Sequence, residues 1–288
     1  MSNEEKYDEI KDEENFERYN DEEENLVDAY DSEIDVIEKI KVDAKRIKKI
    51  DQTKKRAAIE SVFDERTIFL LNKILTNGPL SSIKGVISAG KEANVYLAYD
   101  ENGKEVAVKI YKIDSNTSKW MRNYILGDPR FKKVPNNVSK IIFLWAGKEF
   151  KNLKRAYKVG LSVPEPIYIK NNILIMEYIG FGAMPAPKLK DIKNPQENEH
   201  LVDDILYFIK NLYQKARLVH GDLSEFNILY HNKKPVVIDI SQAVDIQHPK
   251  AEIYLVRDIK NIFNYFKRHG LSTPDPKSFY YEVINLNR

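Results

Sequence analysis

Cysteine is absent from the 288-residue chain, which excludes a disulfide scaffold, a Cys-ligated zinc or iron–sulfur site and any thiol catalysis. A reducing compartment fits, and the cytoplasm is the expected location. Long apolar runs are also missing. None approaches the roughly 18 residues of a membrane span, and the opening MSNEEKYDEI lacks the basic-then-apolar layout of a signal peptide. A soluble, unexported protein with no membrane partner is expected. Histidine is sparse, and His200, His231, His248 and His269 have no metal-ligand spacing with one another, which argues against zinc. No internal repeat is found.

Net charge is small, at +2, but it conceals a split. Residues 1–35 carry 16 Asp/Glu against 3 Lys/Arg, so the excess of base lies in the remainder of the chain. So many like charges with few large apolar residues make this head a solvated tail or helix rather than a folded module. The sharper alternative has it fold back over the basic body or compete with an anionic partner for it. The segment from Lys39 to Arg56, KIKVDAKRIKKIDQTKKR, reads as a solvated helix or a nucleic-acid-facing arm.

Folded structure is expected from Asp64. There an acidic turn precedes Ile68, Leu71, Ile74 and Leu75 at helical spacing, ended by Asn77-Gly78-Pro79. The pattern then becomes β-like: GVISAG, NVYLAY and EVAVKIY, with Asn102-Gly103 as a hairpin signal, predict an antiparallel sheet. From Lys112 to Lys148 runs a long basic connection containing Trp120, Tyr124 and Phe131, followed by a helix through Phe150, Leu153, Ala156 and Tyr157. Pro166–Ile169 and Ile173–Met176 are predicted strands closing the sheet. Gly180 to Pro195 reads as a hinge and linker. A helix over Leu201–Leu218, two short strands around Ile228 and Val237, and a helix from Val256 to His269 complete the chain.

The strongest chemical signal is Val219-His220-Gly221-Asp222-Leu223-Ser224-Glu225-Phe226-Asn227, followed by the strand-like Pro235-Val236-Val237-Ile238-Asp239. Two carboxylates and a carboxamide at this spacing offer hard oxygen ligands suited to Mg²⁺ on nucleotide phosphates, with one carboxylate left to accept a hydroxyl proton. The spacing is similar to the H-R-D-x-x-x-x-N loop and metal-binding Asp of protein kinases. Taken singly, loop Asp and Asn usually make turns and caps. Upstream, Glu105-Val106-Ala107-Val108-Lys109-Ile110 sets one Lys on an apolar strand, which is costly unless it meets phosphate or carboxylate. Glu149, forty residues later, opens the next helix as its candidate partner. The segment from Ser88 to Tyr96, SAGKEANVY, occupies the place of a phosphate-covering loop, although Gly85 and Gly90 do not make G-x-G-x-x-G and a plain hairpin is the simpler reading of that segment alone. His220 is expected to pack against the loop, and Trp120 and Trp145 to be packing residues.

GVISAGKEANVY, AVKIY, KEFKNLKRA, HGDLSEFN and IDISQAV together resemble the RIO family of atypical serine/threonine protein kinases, closest to its first subfamily, across about residues 64 to 286. The resemblance implies an α+β, two-lobed protein-kinase-like fold. In it, residues 1–63 form an acidic-then-basic extension, 64–180 the N-lobe with its antiparallel sheet, and 181–288 a reduced, mostly helical C-lobe. It implies ATP and Mg²⁺ as cofactors, with Mn²⁺ as an alternative, and a role in maturation of the small ribosomal subunit, with the pre-subunit and its rRNA or proteins as partners and autophosphorylation as a further expectation. By residue, Lys109 would hold the phosphates and pair with Glu149, Ser88 would lie in the phosphate loop, and Asp222 would be the catalytic base. Asn227 and Asp239 would bind metal, and Glu177 and Ile179 would offer backbone groups to adenine. Asp239 would also be the site of an aspartyl-phosphate intermediate, making the enzyme an ATPase as much as a kinase.

Departures from ordinary protein kinases carry their own implications. Gly221 stands where an Arg would contact a phosphorylated activation loop, so such control should be absent. Only 49 residues follow Asp239 and no A-P-E is present, which leaves little platform for an extended peptide and favours a large partner or ATP hydrolysis coupled to a conformational step. Lys119, Arg122, Arg130, Lys132 and Lys133 interleaved with Trp120 and Phe131 would grip rRNA or close over ATP, or else form a mobile insertion. Two rivals stand beside this assignment: a small-molecule phosphotransferase of the aminoglycoside or choline kinase kind, and a non-catalytic assembly factor with a kinase-like fold.

Overall fold

Asp64 accepts a hydrogen bond from the Thr67 N–H at 3.0 Å and so caps helix α1 (Glu65–Asn77), where the acidic turn predicted a start. The computed structural model describes residues 63–284. The acidic head and the Lys39–Arg56 segment lie outside the described residues. After α1 come β1 (Leu80–Ala89), β2 (Ala93–Asp100) and β3 (Glu105–Tyr111), with Gly103 at φ 79° in the turn between the last two. With β4 (Pro166–Lys170) and β5 (Ile173–Glu177) they form one antiparallel sheet in the order β1-β2-β3-β5-β4.

The period of two along β3 explains the placement of its lysine. Val106, Val108 and Ile110 face one apolar cluster with α1 residues Leu70, Leu71 and Ile74. Ala107 joins the opposite cluster with Leu153, Leu174 and Met176, so Lys109 falls on that second face. Both faces of the sheet are covered, which is why EVAVKIY reads as a continuous apolar run rather than as an alternation.

The basic connection is largely helical. It folds into α2 (Ser115–Ile125), capped by Asp114, and into the first half of α3 (Val138–Lys158), capped by Asn137. Glu149 therefore sits in the middle of a 21-residue helix rather than opening one. Nor are the interleaved aromatics of this segment displayed: Phe131 is buried, and Trp120 lies edge-on to Trp145 with ring centroids 5.2 Å apart. Arg130 is paired with the buried Asp128 at 2.6 Å.

Beyond β5, the expected linker carries a short hairpin, β6 (Gly180–Phe181) with β7 (Met184–Pro185), and a 3₁₀ turn whose Leu189 is fully buried. Helix α4 (Leu201–Gln214) stops short of Leu218, which instead enters β8 (Leu218–Val219) after Arg217 takes a positive φ of 57°. Strands β9 (Ile228–His231) and β10 (Lys234–Val237) pair antiparallel, and β11 (Val244–Asp245) pairs with β8. Helix α5 (Ala251–Arg268) begins earlier than the Val256 start expected, because Ala251, Tyr254 and Leu255 already belong to the core. Helix α6 (Pro276–Val283) closes the α+β fold, and no helix among the described residues is long and apolar enough to cross a membrane.

Candidate active site

Lys109 is buried, and its ammonium donates to Glu149 Oε1 at 2.7 Å and to Asp239 Oδ1 at 2.8 Å. Burial alone would pull its pKa down, but the charges of Asp239 and Glu149 outweigh that and hold it well above the ordinary lysine value. Tyr111, two residues along the same face of β3, donates its hydroxyl to the other oxygen of Glu149. The strand and the helix thus define one another's register at the lysine.

Asp239 follows β10 in the left-handed region, with φ 58° and ψ 55°. Asp tolerates this conformation better than most residues, and strain of this kind, about 1–3 kcal/mol, is found where geometry serves a site. Its side chain is 46% exposed, and Ser241 Oγ donates to Oδ1 at 3.0 Å. Both hydrogen bonds on the Asp239 side chain fall on Oδ1, so Oδ2 is the oxygen left for a ligand. Burial raises its pKa, but Lys109 and the bonds from Lys109 and Ser241 overcome this and keep the group ionised below the usual range.

On the other side, the Asn227 amide donates to the Asp222 carbonyl at 2.9 Å and to Asp222 Oδ2 at 3.4 Å. Its Nδ2 is thereby committed, which leaves Asn227 Oδ1 as an oxygen donor. Gln242 donates to Asp222 Oδ2 at 3.1 Å. Burial and then the Asp239 charge raise the Asp222 pKa, against Arg257, Asn227 and Gln242, a direction that suits a proton acceptor. One carboxylate oxygen and one amide oxygen are a small donor set, fitting Mg²⁺, which keeps waters and shares nucleotide phosphates rather than sitting in an all-protein cage.

The SAGKEANVY turn lies over these groups. Burial, then the charge of Asp239, raises the Glu92 carboxyl to about 7, with Lys109 opposing. Lys112 holds the turn by donating its ammonium to the Gly90 carbonyl at 2.8 Å. Ser88 is exposed on β1, opposite Val95. Glu177 ends β5 with its N–H donating to the Glu165 carbonyl at 2.8 Å, and the Ile179 carbonyl accepts from Ala186 N–H at 3.0 Å.

The family described as the RIO domain matches residues 94–279. The chain belongs to the RIO family. It is 40% identical over 227 residues to the RIO-type serine/threonine-protein kinase Rio1 of Haloferax volcanii, covering 78% of this chain and 76% of that one. It is 41% identical over 220 residues to the serine/threonine-protein kinase RIO1 of Homo sapiens, covering 75% of this chain but 39% of the human one. A Rio2 kinase from Chaetomium thermophilum, solved as an ADP/Mg²⁺–phosphoaspartate complex, shares the fold with a TM-score of 0.57 at 27% identity, covering 75% of this chain and 64% of that one. The chain thus has a RIO kinase fold.

Within that fold, the residues singled out from sequence separate into two groups. Lys109, Glu149 and Asp239 are in direct contact, and Asp222 with Asn227 forms a second contact group. Ser88, Glu177 and Ile179 touch none of these five by hydrogen bond. Sequence reasoning missed the supports. Asp258 is buried on α5 and accepts the Gly221 N–H at 2.8 Å and the Leu223 N–H at 2.9 Å, which fixes the backbone on both sides of Asp222. An acid at helical spacing with Leu255, Ile259 and Ile262 was the available signal. His220, buried as expected, accepts the Asp222 N–H through Nδ1 at 3.3 Å, and burial pulls its pKa down to about 4.

Proposed function

We propose that this RIO-family cleft transfers the γ-phosphate of ATP in a Mg²⁺-dependent reaction, to a serine or threonine hydroxyl or to water, and that it does so on the maturing small ribosomal subunit. The observation that carries this is the buried ammonium of Lys109, bonded at once to Glu149 on a helix and to Asp239, 130 residues away. A buried cation shared by two carboxylates is a site prepared for polyphosphate, since nucleotide oxygens can replace one carboxylate without leaving the charge unpaired.

Asp222 accepts the hydroxyl proton as the hydroxyl oxygen bonds to the γ-phosphorus. The bond from that phosphorus to the bridging oxygen breaks, and ADP leaves. Mg²⁺, held through Asn227 Oδ1 and Asp239 Oδ2, would neutralise phosphate charge. The carbonyl of Glu177 and the N–H of Ile179 would read the adenine edge. In a hydrolytic branch Asp239 itself takes the phosphoryl group, and water then releases phosphate from the acyl phosphate. The solved Rio2 relative is a phosphoaspartate complex, which supports this branch.

Label transfer from γ-labelled ATP tests the assignment. Label stable to hydroxylamine on Ser or Thr supports the kinase branch, and hydroxylamine-labile label lost in Asp239→Ala supports the hydrolytic one. Label passed to an aminoglycoside or choline and to no protein or water would establish the small-molecule alternative. Absence of transfer despite nucleotide binding would leave the chain a non-catalytic assembly factor.

A further inference from the structure

Helix α3 carries a second buried lysine, next to Glu149. Lys148 is fully buried, yet it bonds to no carboxylate among the described residues. Its amine donates to the Ser241 carbonyl at 2.8 Å and to the Ala243 carbonyl, and lies 5.0 Å from the centre of the Trp145 ring. One helical turn on, Asn152 donates to the Ile240 carbonyl at 2.9 Å and to the Ala243 carbonyl at 3.0 Å. Arg130 in turn donates to Asn152 Oδ1 at 2.7 Å, which fixes the orientation of that amide. Donors from one helix therefore bind the carbonyls of the turn immediately after Asp239.

A buried lysine amine is expensive unless its donors are bonded, and here both acceptors are carbonyls of a single turn. Ser241, whose carbonyl Lys148 holds, also donates its hydroxyl to Asp239 Oδ1. The left-handed backbone at Asp239 leads directly into this turn. Glu149 reaches Asp239 through Lys109, and Lys148 reaches it through the 240–243 backbone.

We propose that Lys148, seconded by Asn152, is a positioning residue for Asp239, latching the 240–243 turn to α3 so that Asp239 meets metal-bound nucleotide correctly without an activating phosphorylation. Gly221 precedes Asp222, so the chain has no arginine at that position to gather a phosphorylated loop; the latch is an internal lysine whose amine donates to the turn's own carbonyls. The inference rests on the phosphoryl-transfer reading above.

The test uses the full chain and a binding measurement. ADP affinity is measured by calorimetry with Mg²⁺ and with EDTA for wild type and Lys148→Met, a swap of similar length that removes the donors. Lys148→Met should fold, keep its metal-free ADP affinity within about twofold, and lose at least tenfold of the affinity that Mg²⁺ adds. Asn152→Ala should move in the same direction by a smaller factor, and it carries the test if Lys148→Met does not fold. A variant that retains the full Mg²⁺ enhancement, or loses affinity equally with and without metal, overturns the latch alone. Wild type that binds no nucleotide overturns the phosphoryl-transfer reading and the latch with it.

Discussion

The Lys109 ammonium lies 2.8 Å from Asp239 Oδ1 across 130 residues of chain, an ion pair that ties the middle of β3 to a residue two positions beyond the β9–β10 hairpin. Glu149 completes the arrangement, accepting from the same ammonium at 2.7 Å, and its side chain is almost wholly buried. The lysine is thus both a structural tie and the cation that phosphate would meet.

Replacing Lys109 with Met should therefore harm stability as well as chemistry. Glu149 would be left as a buried carboxylate with Tyr111 as its remaining side-chain donor. Breaking such a pair from one side costs on the order of 3 kcal/mol, or roughly 5–10 °C in melting midpoint for a domain of this size. Thermal unfolding without nucleotide reads this directly, and an unchanged midpoint would mean that the pair contributes nothing to the fold.

Asp222→Asn should lower phosphoryl transfer by about 10²–10⁴-fold, the range for removal of a general base, while ADP affinity stays near the wild-type value. Steady-state turnover and ADP calorimetry separate the two effects. Asp258→Asn should give a milder loss of kcat, because one of the two N–H groups flanking Asp222 loses its acceptor. Equal losses of ADP binding in both variants would point to a collapsed loop instead.

Stability should fall in acid through His220. Its folded pKa lies near 4, below an ordinary value of about 6.5, so the unfolded chain takes up a proton that the folded chain refuses. That contribution is complete above about pH 6.5 and disappears as pH falls toward 4, amounting to on the order of 3 kcal/mol. Melting midpoints from pH 7 to 4 should be flatter in His220→Gln than in wild type. Parallel curves would show that His220 takes up its proton without unfolding.

The basic segment separates into packing residues and residues free to meet a partner. Trp120→Ala should cost about 3 kcal/mol of stability, since its ring meets both Trp145 and Tyr124, and should leave RNA affinity unchanged once folding is accounted for. Lys119→Glu with Lys133→Glu, both exposed, should leave the melting midpoint in place and weaken binding to structured RNA. The salt dependence should become shallower by roughly one unit of slope for each RNA phosphate that the variant no longer neutralises. Unaltered RNA affinity would remove this face from the interface.

Local chemistry was legible in the sequence where one residue type has few uses. A lysine inside EVAVKIY needed an anion, and Asp222, Asn227 and Asp239 at their spacing read as oxygen groups for a metal and a proton. Element positions followed as well wherever a cap or turn residue marked them, as Asp64 and Gly103 do. The helical nature of the 112–148 segment was obscured by its eight basic residues, because the folding signal there is the set Met121, Ile125, Ile142 and Trp145, which pack only once α2 and α3 meet. The supports of the site were hidden for another reason: Lys148, Asn152 and Asp258 act on backbone carbonyls and N–H groups, and a side-chain pattern that marks a buried polar residue, as at Asp258, does not say which backbone it meets.

ATP turnover by the full chain with Mg²⁺, with and without small-subunit precursor particles and with Asp239→Ala as the blank, tests the central claim most directly. Turnover that particles stimulate and that Asp239→Ala abolishes is the expected result. Bound ATP that is never turned over, with or without particles, would contradict it.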